Sequence, residues 1–98
     1  FSGQTPIDPA TGELVQGDIV KQAVQVFENL KAVAAAAQVD FGDVARVGIY
    51  LTDLANFAAV NAVMADYFQT PYPARSTIEV KGLPKGAQVE IDMIAVVG

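Results

Sequence analysis

Residues 89–97 alternate in the manner of a strand: Val89, Ile91, Met93, Ala95 and Val97 share one face, and Glu90, Asp92, Ile94 and Val96 share the other. The second face begins acidic and ends aliphatic, which a side turned only to water does not do. Such a strand needs cover on both sides. A chain of 98 residues forms one domain with material for about one layer of helices, so another subunit is expected to cover the second face.

Two helical segments can supply the first layer. Gly17-Asp18 sets up a helix with Asp18 as N-cap. Behind it Ile19, Val20, Ala23, Val24, Phe27, Leu30, Val33, Ala34 and Ala37 form an apolar stripe, with Gln22, Gln25, Glu28, Asn29 and Lys31 on the other face. Residues 44–51 form a strand, with Ala45, Val47, Ile49 and Leu51 pointing one way and Val44, Arg46, Gly48 and Tyr50 the other. Thr52-Asp53 caps a second helix carrying Leu54, Phe57, Val60, Met64, Tyr67 and Phe68, and Thr70-Pro71-Tyr72-Pro73 ends it. Residues 74–80 read as a strand with Arg75, Thr77 and Glu79 on one face, paired through the turn at 82–86 with the strand at 89–97. Residues 5–12 are dense in turn formers and read as a loop. The fold class is α+β, with two helices on one face of a sheet.

The chain has neither histidine nor cysteine, so its chemistry must come from carboxylates, two arginines, hydroxyls, amides and the backbone. Eleven acidic against six basic residues, the latter scattered, give a net charge of −5 and speak against nucleic acid and anionic membranes as partners. No uncharged run approaches the ~20 residues of a membrane span. With 52% hydrophobic residues, the apolar surplus points to a subunit interface, and a soluble cytoplasmic protein is expected. No carboxylate cluster has metal-ligand spacing.

Arg75, at a strand start after Pro73-Ala74, is either a fork for a substrate carboxylate or a surface arginine paired with Glu79 or Glu90. Glu90 is either a solvated strand position or a group that orients and deprotonates water. Asn61 interrupts the apolar stripe of the second helix, either as a satisfied amide or as a hydrogen bond into a pocket. Ser2-Gly3 reads as backbone donors at a pocket rim or as a strand end, and Tyr72 as packing.

The segments 73–80, Leu83-Pro84-Lys85-Gly86 and 89–96 resemble the C-terminal signature of the Rid (reactive intermediate deaminase, or YjgF) family. The resemblance continues upstream through Ser2-Gly3-Gln4, residues 8–13, Asn29-Leu30-Lys31, residues 50–54 and Val60-Asn61. It implies a chorismate-mutase-like α+β fold assembled as a homotrimer, with sheets inward, helices outside and pockets between subunits. The implied reaction is hydrolysis of 2-imino acids or their enamine tautomers to 2-oxo acids and ammonia, as in 2-iminobutanoate/2-iminopropanoate deaminase, without metal or organic cofactor. Carried over by position, Arg75 would hold the substrate carboxylate and Glu90 would orient water and move protons. Ser2 and Gly3 would border the pocket, Asn61 and Tyr72 would lie near it, and Thr77 stands where many members have cysteine. The competing expectation is a non-catalytic trimer that binds small acids or another protein through the same pocket. The sequence reads as a single Rid-like domain over residues 1–98, apparently lacking about thirty N-terminal residues of the usual family domain, whose absence would expose a sheet edge.

Overall fold

The computed structural model describes residues 3–70 and 72–96; Ser2, Pro71 and Val97 lie outside the described residues. Strands β1 (Ile7–Asp8) and β2 (Glu13–Leu14) are followed by helix α1 (Ile19–Ala36), strand β3 (Val44–Leu51), helix α2 (Phe57–Tyr67) and strands β4 (Ala74–Glu79) and β5 (Val89–Ala95). Residues 5–12 are therefore not wholly loop. Ile7 pairs with Leu14 and Asp8 with Glu13 in an antiparallel ribbon, whose turn is closed by Gly12 N–H donating to Asp8 O at 2.7 Å with Gly12 at φ +73°. Asn29 of α1 ties this ribbon down, its Nδ2 donating to Ile7 O at 2.8 Å and Thr5 O at 3.2 Å.

The main sheet is mixed, in the order β4-β3-β5. β3 runs parallel to β4 and antiparallel to β5, so β4 and β5 do not form the strand pair expected from the turn at 82–86. The physical reason is the β3–α2–β4 unit: a helix between two strands returns the chain to the same end and makes them parallel neighbours. The chain then crosses the end of β3 through a 3₁₀ turn, Pro84–Gly86, to reach its far side.

One sheet face packs on both helices. Val47, Ile49 and Leu51 of β3 and Val89, Ile91 and Met93 of β5 are fully buried against Ala23, Val26, Phe27 and Leu30 of α1 and Val60, Val63 and Met64 of α2. Asp18 caps α1, accepting from Lys21 N at 3.0 Å. The buried stripe of α1 is rotated from the expected one: Val20, Val24 and Val33 are exposed, and Val26 and Gln22 are inside. Gln22 turns inward because both ends of its amide are used. Its Nε2 donates to Val15 O at 3.2 Å, and its Oε1 accepts from Gln88 N at 3.0 Å. Strict alternation also fails at the start of β3, where a register shift between Val44 and Arg46 buries Val44 and exposes Ala45. Asp53 caps a 3₁₀ turn, Leu54–Asn56, ahead of α2 and leaves Leu54 exposed, so Val63 rather than Leu54 joins the core.

Among the described residues no helix covers the opposite face, which presents Arg46, Gly48 and Tyr50 beside Ser76 and Ile78 on one flank and Glu90, Asp92 and Ile94 on the other. Ile78, Ile94 and Val96 are 50%, 54% and 66% exposed there. No described helix is long and apolar enough to cross a membrane.

Two outcomes follow from this packing. Gln22→Leu strands the Gln88 N–H and the Val15 carbonyl and is expected to destabilise the chain by about 1–3 kcal/mol in urea unfolding; unchanged stability would deny the bridge its role. Tyr67 stacks on Phe27 at 5.1 Å, and its hydroxyl donates to Glu28 Oε2 at 2.6 Å. Burial, reinforced by that hydrogen bond, pushes its phenol up from 10.0 to about 12. A pKa raised on folding contributes stability that is full below about pH 10 and is lost as pH rises towards about 12. An absorbance titration of the phenolates should show this late ionisation, and Tyr67→Phe should remove it.

Candidate active site

Arg75 pairs with Val47, so its side chain lies on the helix side of the sheet at the β4 edge. Its guanidinium carbon sits 5.2 Å from the centroid of the Phe57 ring at the start of α2. With Asn61, Met64 and Ala65 of α2 and with Tyr72, Arg75 lines a cavity of about 240 Å³. Asn61, Met64 and Ala65 fall together because helical positions three and four apart share a face. Among the described residues the guanidinium has no hydrogen bond or ion pair. Glu79, one of its two expected surface partners, instead accepts from Leu54 N at 2.9 Å. Thr77 lies two residues along on the same face, and its Oγ1 is buried without a hydrogen-bond partner among the described residues.

Glu90 pairs with Tyr50 and projects from the opposite, helix-free face. It sits directly against Gly3, where a Cβ would come 2.7 Å from Glu90 Oε2, so a larger residue there would push the glutamate side chain aside. That segment is held by the reciprocal bonds of Gln4 N to Ile91 O at 2.8 Å and Ile91 N to Gln4 O at 3.0 Å. The Glu90 carboxylate is half-buried and accepts no hydrogen bond among the described residues.

Arg75 and Glu90 are therefore not brought together within one chain. They stand on the two strands flanking β3, three residues apart in register and on opposite faces, with Cα positions roughly 14 Å apart from two strand spacings and three residues of rise. Gly3 accompanies Glu90, and Asn61 and Tyr72 accompany Arg75.

The sequence reading missed two residues beside Glu90. Tyr50 donates to Asp92 Oδ2 at 3.1 Å, and that hydrogen bond is the first cause raising the Tyr50 phenol above its ordinary range. Asp92 also packs against Gly48, whose missing side chain leaves the carboxylate room to cross β3. The signal was present as a glycine in the central strand, between positions that alternate cleanly.

A larger cavity, about 490 Å³, opens elsewhere beside Phe41, Tyr67 and Phe68. Its acid, Asp40, is already spent on the Gly42 N–H at 2.7 Å, so the smaller Arg75 cavity carries more of the available chemistry. Among the described residues no three acidic or other metal-ligating side chains are grouped to hold a metal ion.

The profile of the endoribonuclease L-PSP family matches residues 1–97. The chain is 59% identical over 96 residues to protein DfrA of Myxococcus xanthus, covering 98% of this chain and 73% of that one. It is 45% identical over 98 residues to the 2-iminobutanoate/2-iminopropanoate deaminase of Capra hircus, covering 100% of this chain and 72% of that protein. The crystal structure of Escherichia coli TdcF with bound serine superposes with a TM-score of 0.92 at 41% identity, covering 99% of this chain and 78% of TdcF. Two helices on a mixed sheet are thus the fold of these neighbours as well. A match across nearly the whole chain, together with close relatives named as imine deaminases, places this protein in the endoribonuclease L-PSP family, also called YjgF or Rid.

Proposed function

We propose that this protein is a hydrolytic deaminase of small 2-imino acids and their enamine tautomers. The observation that carries the reading is the unspent Arg75 guanidinium at the mouth of a small cavity, with no described acceptor of its own. An arginine fork grips a carboxylate through two parallel N–H donors, the geometry a 2-imino acid needs at its invariant end. Relatives named 2-iminobutanoate/2-iminopropanoate deaminase and the serine bound to TdcF both support a small ligand bearing a carboxylate beside nitrogen.

Glu90 supplies the proton chemistry. Its carboxylate takes a proton from water as the oxygen bonds to C2 of the protonated imine, giving a neutral carbinolamine. The same proton passes to the amino nitrogen, and the C2–N bond breaks with its electron pair leaving on ammonia. The hydroxyl proton passes to Glu90 as C2=O forms and then to the departing ammonia, which leaves as ammonium and restores the carboxylate. Asn61, Tyr72 and the Thr77 hydroxyl serve the Arg75 side of the pocket, and Gly3 borders the Glu90 side. No metal or organic cofactor enters any step.

Because Arg75 and Glu90 occupy opposite faces, a pocket holding both takes them from two copies of the chain. A homotrimer with the helix-free faces turned inward supplies that arrangement and covers Ile78, Ile94 and Val96. The competing reading, a binding protein for small acids, uses the same arginine and dispenses with Glu90. Nuclease action, which the family description names, finds little support in a net charge of −5 and scattered lysines.

The test generates 2-iminopropanoate with an amino-acid oxidase and follows 2-oxo acid formation against a carbonyl-trapping amine. Arg75→Ala is expected to cost about 2–5 kcal/mol, roughly 30- to several-thousand-fold in rate; a loss below about threefold would count against the clamp. Glu90→Gln should abolish turnover and keep binding of a 2-oxo acid; retained turnover would overturn the proton role of Glu90, and a wild type that binds the 2-oxo acid without speeding imine hydrolysis would favour the binding protein. Equal mixing of Arg75→Ala and Glu90→Gln chains should restore about a quarter of wild-type activity if random trimers share each pocket between two copies. No recovery after subunit exchange would overturn the sharing of one pocket between two copies.

A further inference from the structure

Phe57 and Arg75 meet across the gap between α2 and β4, the guanidinium carbon lying 5.2 Å from the ring centroid. Phe57 is the first residue of α2, half-buried, and Asn61, Met64 and Ala65 of the cavity lining follow it by four, seven and eight residues. Ring and lining therefore share one helix face. β4 is an edge strand whose residues are largely exposed, and an arginine there has several free rotors. Something must hold it if its N–H groups are to present a fixed fork. Among the described residues no carboxylate, amide or carbonyl does so.

We infer that Phe57 is a positioning residue for Arg75. Its ring holds the guanidinium by a cation–π contact and orients it over the cavity, without consuming any of its N–H donors. A carboxylate in that place would also fix the arginine, but it would occupy the fork and offset the charge meant for the ligand. An aromatic face orders the group and leaves the charge available. This assignment rests on the proposed role of Arg75 as the carboxylate clamp.

The experiment measures binding of pyruvate by calorimetry, the KM and kcat of imine hydrolysis, and the NMR shift of the Arg75 Nε–H. Phe57→Leu keeps an apolar side chain and removes the ring; Phe57→Tyr keeps the ring. Phe57→Leu should weaken pyruvate about 3- to 30-fold and raise KM with kcat nearly constant. Phe57→Tyr should behave like the wild type, and Phe57→Leu should add nothing on an Arg75→Ala background. The Nε–H resonance should carry a ring-current shift in the wild type and in Phe57→Tyr that is gone in Phe57→Leu. Normal pyruvate binding by Phe57→Leu, with weakened binding by Arg75→Ala, overturns the positioning role and leaves the clamp standing. Normal binding by Arg75→Ala overturns the clamp, and the role of Phe57 falls with it. Where Phe57→Leu does not fold, an unshifted Nε–H in the wild type alone overturns the inference.

Discussion

The burial of one face of β3 against α1 and α2 governs the rest of this structure. Val47, Ile49 and Leu51 are fully buried, and side chains of this size contribute about 1.5–3 kcal/mol each when removed from water. β3 is also hydrogen-bonded along both edges, to β4 and to β5. Its facing is therefore transmitted to both neighbours. Arg75, opposite Val47, is carried to the helix side, and Glu90, opposite Tyr50, is carried to the open side. A slip of one residue in either ladder would exchange those faces and expose the core at the same time. The location of Arg75 and Glu90 is thus a consequence of core packing rather than a separate specification.

The open face depends on small residues at two places. Gly48 lets Asp92 reach across β3 to the Tyr50 hydroxyl, and Gly3 lets the N-terminal segment lie against Glu90. At both positions a methyl group would meet a carboxylate, so a larger residue would displace Glu90 or Asp92 from the place it holds. The result is an acidic band of Glu90 and Asp92 that gives way along β5 to exposed Ile94 and Val96. A surface of that composition is suited to partial cover: apolar contact at one end and a polar, solvent-reachable pocket at the other.

The sequence made several of these features legible and concealed others for identifiable reasons. The extent of β3 and the Asp18 cap could be read because alternation and capping are local signals. The facing of Arg75, Thr77 and Glu79 could be read too, since it needs only the period of a strand. Which strands are neighbours could not be decided that way. The turn at 82–86 looks like a hairpin, and only the packing of α2 between β3 and β4 reveals the crossover that places β3 in the middle. The helical period alone puts Gln22 on the solvent face, because its partners, Val15 O and Gln88 N, lie outside α1, seven and 66 residues away. The bulge at Val44 likewise has no compositional mark. For the site, residue types pointed to Arg75 and Glu90, whereas their separation on two faces became visible only with the register of the whole sheet.

That separation has its own electrostatic logic. On one face of the sheet, two long side chains of opposite charge would reach towards each other over β3, and the arginine charge would be offset before any ligand arrived. Here the sheet stands between them, and roughly 14 Å exceeds the Debye length of about 8 Å at physiological ionic strength. Each group therefore keeps its charge uncommitted within the chain. On the proposed reading, they meet only across an interface, with the ligand carboxylate on the arginine and water on the glutamate. Assembly would then do two things at once: cover the aliphatic end of the open face and complete the pocket. Pocket completion would scale with the concentration of chains as any association does.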